Sequence, residues 1–302
     1  MQWCNMSAVI STIIVNYNAG ELLRNCVDSL LNCPLENEII VVDNASTDGS
    51  LDALLGLPCV QIIKNPTNLG FAAACNSGAH IASAPFLLFL NPDCSFKPGA
   101  LAGMLDAMGL DEHVGMATGV LTHLDGTEQA GGRRAVPTPW RSFVRAFGLV
   151  RFSDRWPRLF FDFHLYKQPL PDYPVEVEAI SGACMMVRRE AMQDVGEWDE
   201  GYFLHCEDLD LCMRFRQKGW KILFVPAVQI MHALGVCGRN RPVFVEWHKH
   251  KGMMRFYRKF FRHQYPGVLM GLVAVGVWLR FALVATFYLT KHIGRVLGRG
   301  RG

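Results

Sequence analysis

The sequence predicts an α/β fold: a mostly parallel central sheet flanked by helices, followed by a C-terminal helical tail. Three observations predict it. Apolar, often β-branched runs alternate four times with segments of helical or turn character before residue 110. Those runs are apolar at consecutive positions, as in strands covered on both faces of a parallel sheet. From Trp247 to Gly302 there are eleven Lys or Arg and no acid, around one long apolar run.

The elements follow in order. AVISTIIVNYN (8–18) is a strand that ends in polar turn residues. ELLRNCVDSLL (21–31) has apolar positions at helical spacing. EIIVVDNASTDGS (38–50) repeats strand then turn, and VQIIKN (60–65) is a third strand. NLGFAAACNSGAHIA (68–82) reads as a turn and a helix. PFLLFLNPD (85–93) is the fourth strand, and PGALAGMLDAM (98–108) starts a helix with Pro in its first turn. Residues 131–174 mix Arg, Pro, Trp and Phe without a period and are expected to be irregular. Order returns at VEVEAISGACMMVRREAM (175–192), with a helix at 208–218 and a strand at 221–225.

In open parallel sheets, ligands gather beyond the carboxyl ends of the strands. Asn16, Tyr17 and Asn18 stand at the first end, Asp43 and Asn44 at the second. Asn68 to Phe71 follow the third, and Asn91 to Asp93 the fourth. No GxGxxG and no P-loop is present, so the usual dinucleotide and ATP fingerprints are missing.

Half of the 302 residues are hydrophobic, enough for one large core with an appended segment. The start lacks a basic stretch followed by an apolar one, so no signal peptide is expected. Ten cysteines lie scattered without a CxxC, which points to reduced thiols rather than a disulfide framework. The net charge of +3 hides an asymmetry. With the tail's eleven cations set aside, 19 basic residues face 27 acids. An acidic body with a basic, apolar tail fits an anionic membrane surface, and the apolar run argues against nucleic acid. PGVLMGLVAVGVWLRFALVATFYLT (266–290) is long enough to cross a bilayer, yet Arg280 sits near its middle. A spanning helix, an interfacial helix and a helical hairpin all remain open. KHKGMMRFYRKFFRH (249–263) mixes basic and aromatic residues, as a headgroup layer would require.

Five motifs in order carry a family resemblance: STIIVNYNAGELLRNCVDSLL, IIVVDNASTDGS, NLGFAAACNSG, LLFLNPD and FLHCEDLDLCMRFRQKGWKI. Together they resemble an inverting family-2 glycosyltransferase of the GT-A fold, across residues 8 to 240. The NPD variant is similar to bacterial rhamnosyltransferases that use dTDP-rhamnose. The resemblance implies a GT-A domain over 1–245, with a nucleotide-binding half at 8–125 and an acceptor-binding half at 126–245. The basic, apolar tail follows at 246–302. It implies a nucleotide-diphospho-sugar donor, a lipid-linked saccharide acceptor, a divalent metal (Mg²⁺ or Mn²⁺) and a place at the cytoplasmic face of the inner membrane.

The resemblance also assigns residues. It places the nucleotide sugar on Asn16, Tyr17, Asn18, Asp43, Asn44, Asp48, Asn68, Gly70, Asn76, Asn91 and Asp93. Tyr17 would pack against the base, and Asp43 would accept hydrogen bonds from base or ribose. Asp93 is the expected metal ligand, joined by His232. Many relatives carry Asp at both outer positions of this triplet. Here the first is Asn91, which leaves one anionic ligand and looser metal dependence. Asp208 is the expected general base, with Glu207 as its catalytic neighbour or an acceptor contact. Gly182 would let the acceptor approach the backbone. Arg214 is placed to pair with Asp210 at i+4, and Arg239 and Arg241 serve the diphosphate or extend the basic tail.

Blander readings stand beside these. Asp43 to Asp48 suit a turn and helix cap, and Asn91-Pro92-Asp93 is a turn after a strand. Acids at 207–210 favour a helix N-terminus in any case. A lone His232 can be structural, and Gly182 can mark a kink in a buried strand. For function, the alternatives are a UDP-sugar donor (GlcNAc, galactose or galactofuranose), a nucleotidyltransferase, and a non-catalytic carbohydrate- or nucleotide-binding module.

Overall fold

The computed structural model describes residues 8–233 and 241–299, with side chains as far as 291. The first half alternates as the periodicity predicts: β1 (Ile10–Asn16), α1 (Glu21–Leu31), β2 (Asn37–Asp43), β3 (Val60–Lys64), α2 (Phe71–Ile81) and β4 (Phe86–Leu90). Next come β5 (Cys94–Phe96), α3 (Ala100–Gly109), β6 (Val114–Thr122), the two-residue β7 (Arg133–Arg134) and α4 (Pro139–Ala146). The rest comprises β8 (Val175–Glu176), β9 (Ala179–Ile180), β10 (Cys184–Arg188), α5 (Arg189–Val195), α6 (Glu207–Gln217), β11 (Lys221–His232), α7 (Pro242–Phe261) and α8 (Gly267–Arg299).

The main sheet runs β3-β2-β1-β4-β10-β6-β11-β5, with β8 added at β11. Strands β3, β2, β1 and β4 are mutually parallel, and β11 is parallel to β6. Strand β10 enters antiparallel between β4 and β6. The sheet is therefore mostly parallel, with helices on both faces. Side chains alternate between those faces. Ile13, Val15, Ile40, Val42, Leu87 and Phe89 join one core. Ile10, Ile14, Ile39, Val41, Leu88 and Leu90 join the other. Each fully buried aliphatic side chain contributes about 1.5–3 kcal/mol, which explains why these strands are apolar at every position. Helix α2 lies close because Gly78 has no Cβ; one there would stand 2.5 Å from Ile13 Cγ2. Register aligns the strand ends: Asn16 faces Asp43, and Ile14 faces Leu90.

Some local readings shift. Helix α3 starts at Ala100 after a left-handed Gly99, so Pro98 precedes the helix instead of sitting in its first turn. Strand β11 runs on from 221–225 to His232 as one element. Pro226 interrupts pairing without ending the strand, because the register slips between Val225 and Gln229. Gly119 on β6 makes room for that bulge; a Cβ there would lie 2.5 Å from the Val228 carbonyl. Extending β11 to 232 is what carries His232 to the rim. Residues 131–174 hold only short pieces besides α4, as their composition predicts.

The apolar stretch 266–290 forms one continuous helix from Gly267 on, within α8, not a hairpin of its own, and α8 packs back along α7. Trp247 packs on Trp278 and Phe281 at 5.2 and 5.4 Å. Met254, Phe256, Tyr257 and Phe261 of α7 belong to the sheet's own core. Some of that helix's cations are paired with acids of the body: Arg255 and Lys259 reach Asp199 at 2.8 Å, and Lys259 reaches Asp210 at 2.7 Å. Lys251, Arg258 and Arg262 are exposed and make no ion pair among the described residues. Arg280 reaches across to α7, with Nη1 2.9 Å from His250 Nε2. The opposite face of α8 presents Val268, Leu272, Val275, Leu279, Leu283 and Phe287 to the exterior. Residues 267–291 are long and apolar enough to cross a membrane.

Candidate active site

The first two strand ends form one bonded frame. Asn16 Nδ2 donates to Asp43 Oδ1 at 2.8 Å, to Ser46 Oγ at 3.0 Å and to Ser50 Oγ at 2.9 Å. The other Asp43 oxygen accepts from Ser46 N–H at 3.1 Å. Asn18 takes a left-handed conformation at φ 52°, and its Oδ1 accepts from Thr47 N–H. Asp48 accepts from Gly20 N–H at 2.8 Å and Ser50 N–H at 3.0 Å. Burial disfavours its charge, but those hydrogen bonds outweigh burial and hold its carboxyl below the ordinary value. Asn44 bridges to the third strand end: its amide donates to the Gly70 carbonyl at 3.0 Å and accepts from Asn65. Asn68 Oδ1 caps Gly70 N–H at 2.9 Å. Tyr17 is half-buried beside this frame. The residues expected to hold the nucleotide are thus the ones that build these turns. Asn16 Oδ1 remains buried without a partner.

Asn76 is different. It is buried in α2, and both ends of its amide are engaged by Trp198 and Glu200 at 2.9–3.0 Å. Its amide is a strut between α2 and the 198–200 segment.

Asp93 lies in the turn between β4 and β5, beside the last residue of β11. His232 Nε2 stands 3.2 Å from Asp93 Oδ1 and 3.4 Å from Asn91 Nδ2. Gln129 orients the imidazole. Its amide nitrogen donates to the carbonyls of His232 at 2.7 Å and Thr122 at 3.1 Å. Its Oε1 is therefore the atom facing His232 Nδ1 at 2.8 Å. That oxygen only accepts, so in the neutral ring Nδ1 carries the proton and the Nε2 lone pair faces Asp93. One carboxylate oxygen and one imidazole nitrogen fit the donor set of a divalent cation, which Asp93 and His232 would hold. Cys94 Sγ lies within 4.8 Å of both ligand atoms. However, it donates to the Ala183 carbonyl at 3.3 Å, and burial holds its thiol protonated.

Downstream, Cys206 caps α6 in a left-handed conformation at φ 71°, and the next three acids separate in role. Asp210 is sealed in: Tyr202, Arg214 and Lys259 contact it at 3.0, 2.7 and 2.7 Å. The Arg214 contact is the one its i+4 spacing predicts. Glu207 is buried with one oxygen unpartnered, and burial, then the charge of Asp208, push its carboxyl up to about 8. Asp208 alone keeps an accessible side chain, 14% against 0% for Asp210. It accepts from Gly182 N–H at 3.2 Å and pairs with Arg134.

Gly182 and Ala183 join the two acidic clusters. Gly182 N–H meets Asp208, while the Ala183 carbonyl accepts from Asn91 N–H at 2.8 Å. Gln129 and Arg134 are the two site residues the sequence did not announce. For Arg134 the GGRR run gave a weak signal, since a buried arginine needs an acid. No local pattern marks Gln129. Arg241 is exposed at the start of α7, and Arg239 lies outside the described residues.

Residues 11–196 match the family model described as glycosyl transferase family 2, and residues 120–296 match glycosyl transferase family group 2. An N-acetylglucosaminyl-diphospho-decaprenol L-rhamnosyltransferase of Mycobacterium tuberculosis is 29% identical over 240 residues, covering 75% of this chain and 76% of that protein. The rhamnosyltransferase WbbL of Escherichia coli is 39% identical over a shorter stretch, 18% of this chain and 21% of its own. Among solved structures, the mannosyltransferase PcManGT of Pyrobaculum calidifontis, in complex with GDP-Man and Mn²⁺, aligns with a TM-score of 0.56 at 15% identity. That alignment covers 97% of this chain and 81% of that one. GalNAc-T7 with UDP, GalNAc and Mn²⁺ also aligns at 0.56, with 20% identity over 76% of this chain and 44% of its own.

Proposed function

The chain belongs to glycosyl transferase family 2 and is a glycosyltransferase; from that premise we propose that it moves L-rhamnose from dTDP-rhamnose to a hydroxyl of a lipid-linked saccharide, with inversion. The observation that carries this reading is Asp208, the accessible acid of its cluster, held by Gly182 and Arg134 on a backbone link to the turn of Asp93. The Mycobacterium relative, named for L-rhamnosyl transfer to a lipid diphosphate saccharide, supports donor and acceptor class.

In this mechanism Asp208 accepts the proton of the acceptor hydroxyl. That oxygen bonds to the anomeric carbon on the face opposite the diphosphate, and the carbon–diphosphate bond breaks with its electron pair leaving on the nucleotide. Geometry governs such a base more than a large pKa shift. The frame of Asn16, Asp43, Asn44 and Asp48 holds base and ribose, with Tyr17, Asn18, Asn68 and Gly70 completing its wall. Asp93 and His232 would hold the divalent ion, which supplies charge neutralisation for the leaving diphosphate. Glu207 shapes the floor beneath Asp208. The exposed face of α8 supports membrane attachment, and we assign the catalytic body to the cytoplasmic side.

The test incubates the full chain with dTDP-rhamnose or a UDP-sugar panel, a polyprenyl-diphosphate GlcNAc acceptor and Mg²⁺ or Mn²⁺. Product mass and anomeric configuration are read. Rhamnosyl product with inverted configuration and dTDP release is expected. Transfer from UDP-sugars alone would overturn the donor. Pyrophosphate release would make it a nucleotidyltransferase, and sugar-nucleotide binding without turnover a binding module. Recovery of the full chain in the soluble fraction of cells broken without detergent would overturn the membrane assignment.

A further inference from the structure

Helix α4 and the turns after it carry two exposed aromatic clusters on the body of the enzyme. Trp140, Phe143 and Phe147 form one stripe along α4, with ring centroids 5.6 and 4.5 Å apart. Phe152, Trp156 and Phe160 form a second, at 5.8–6.4 Å. Phe147 is 66% exposed and Trp156 50%. A large apolar patch of this kind on a soluble surface marks an interaction site.

The charge around it identifies the partner. Arg141 and Arg145 are neutralised by Glu178 and Asp162. Arg151, Arg155 and Arg158 are exposed and make no ion pair among the described residues. Aromatic rings interleaved with unpaired arginines suit the boundary between acyl chains and anionic headgroups, where rings bury and guanidinium groups stay with phosphate. The patch is also continuous with the α7–α8 pair. Tyr265, two residues before α8, lines one cleft of about 530 Å³ together with Trp140, Arg158 and Leu159. Tyr257 of α7 hydrogen-bonds Ser142 of α4 at 2.7 Å.

We propose that the Trp140–Phe160 segment is a second membrane-docking surface, which lies on an anionic lipid headgroup layer beside α8. It rests on the membrane reading above and extends it. Helix α8 alone would tether the body; a second contact fixes its orientation and presents the 131–182 side, with Arg134 and Gly182, toward the lipid surface.

The test uses the full chain with vesicles of phosphatidylcholine containing one quarter phosphatidylglycerol and a trace of diazirine-bearing phospholipid. After irradiation, lipid adducts are mapped by mass spectrometry. Adducts on peptides within 140–160 as well as on α8 are expected. The combined variant Arg151→Glu, Arg155→Glu, Arg158→Glu should lower partitioning onto these vesicles ten-fold or more, with little change on pure phosphatidylcholine and an unchanged melting temperature. Adducts confined to α8 overturn the inference while the membrane reading survives. No vesicle binding at all overturns both. Protection of the patch by self-association in vesicle-free solution would assign it to a second copy instead.

Discussion

Asp208 and Gly182 meet at 3.2 Å, carboxylate oxygen to backbone N–H, across a position where a Cβ would stand 3.2 Å from the Asp208 Cβ. The acid of one cluster is thus seated on the strand junction that also carries the turn of Asp93. Two substitutions test that seat. Asp208→Asn keeps the shape and removes the basicity; transfer should fall by about 10²–10⁴-fold while calorimetric donor binding is retained. Gly182→Ala should lower kcat with the donor KM nearly unchanged. Normal turnover in Asp208→Asn would exclude it as the base.

Arg134 leaves an uncompensated acid if it is lost. Breaking a buried pair by removing one partner costs about 3–5 kcal/mol. This pair is partly open to solvent, at 17% and 14% side-chain exposure, and solvent screening lowers the figure. Arg134→Met should destabilise by about 1–3 kcal/mol after that discount, read by denaturant unfolding, and should also lower kcat. The double variant Arg134→Met, Asp208→Leu should recover part of the stability but none of the activity. A strictly additive loss of stability would deny the coupling.

Gln129 sets which nitrogen of His232 faces Asp93. Removing such an orienting partner costs about 10–100-fold in metal affinity. Gln129→Leu should weaken Mn²⁺ binding in the presence of nucleoside diphosphate by that factor, and Asp93→Ala by more. Titration followed by the Mn²⁺ paramagnetic signal checks both. Equal affinity in Gln129→Leu and the parent would remove Gln129 from this role.

Glu207 makes stability depend on pH. Its folded value of about 8 lies above the ordinary 4.5 because burial, then Asp208, disfavours the charged form. Between these values the folded chain holds a proton that the unfolded chain has released. The associated stability is full below about pH 4.5 and is lost as pH rises through about 8. Glu207→Gln never ionises and escapes the loss. The melting temperature of the variant relative to the parent should therefore climb from pH 5 to pH 9. A gap that stays constant over this range would show that Glu207 is ionised throughout.

Periodicity made the first half of the fold legible. Runs such as Ile39 to Val42 and Leu87 to Leu90 read as doubly covered strands because each successive side chain must enter one of two cores. The polar ends of those strands were legible for the same reason, since a parallel register brings every carboxyl end to one edge. Residues 221–225 read as a strand, and FVPAVQIM (224–231), with Pro226 inside it, reads as strand-like up to His232. Only the bulge opposite Gly119 shows that pairing resumes.

By itself the sequence determined the alternating architecture, the polar turn at 91–93, the acidic cluster at 207–210, and the apolar stretch of the tail. These depend on periodicity, composition and short spacing, which act between near neighbours in the chain. Tertiary structure alone decided that Asp208 pairs with Arg134, that Gln129 turns His232, and that Arg280 meets His250 on the facing helix. The 74, 103 and 30 residues that separate those partners explain why. A long-range polar contact forms where the fold leaves a buried donor or acceptor without water, and which group answers it is fixed by packing, not by local pattern.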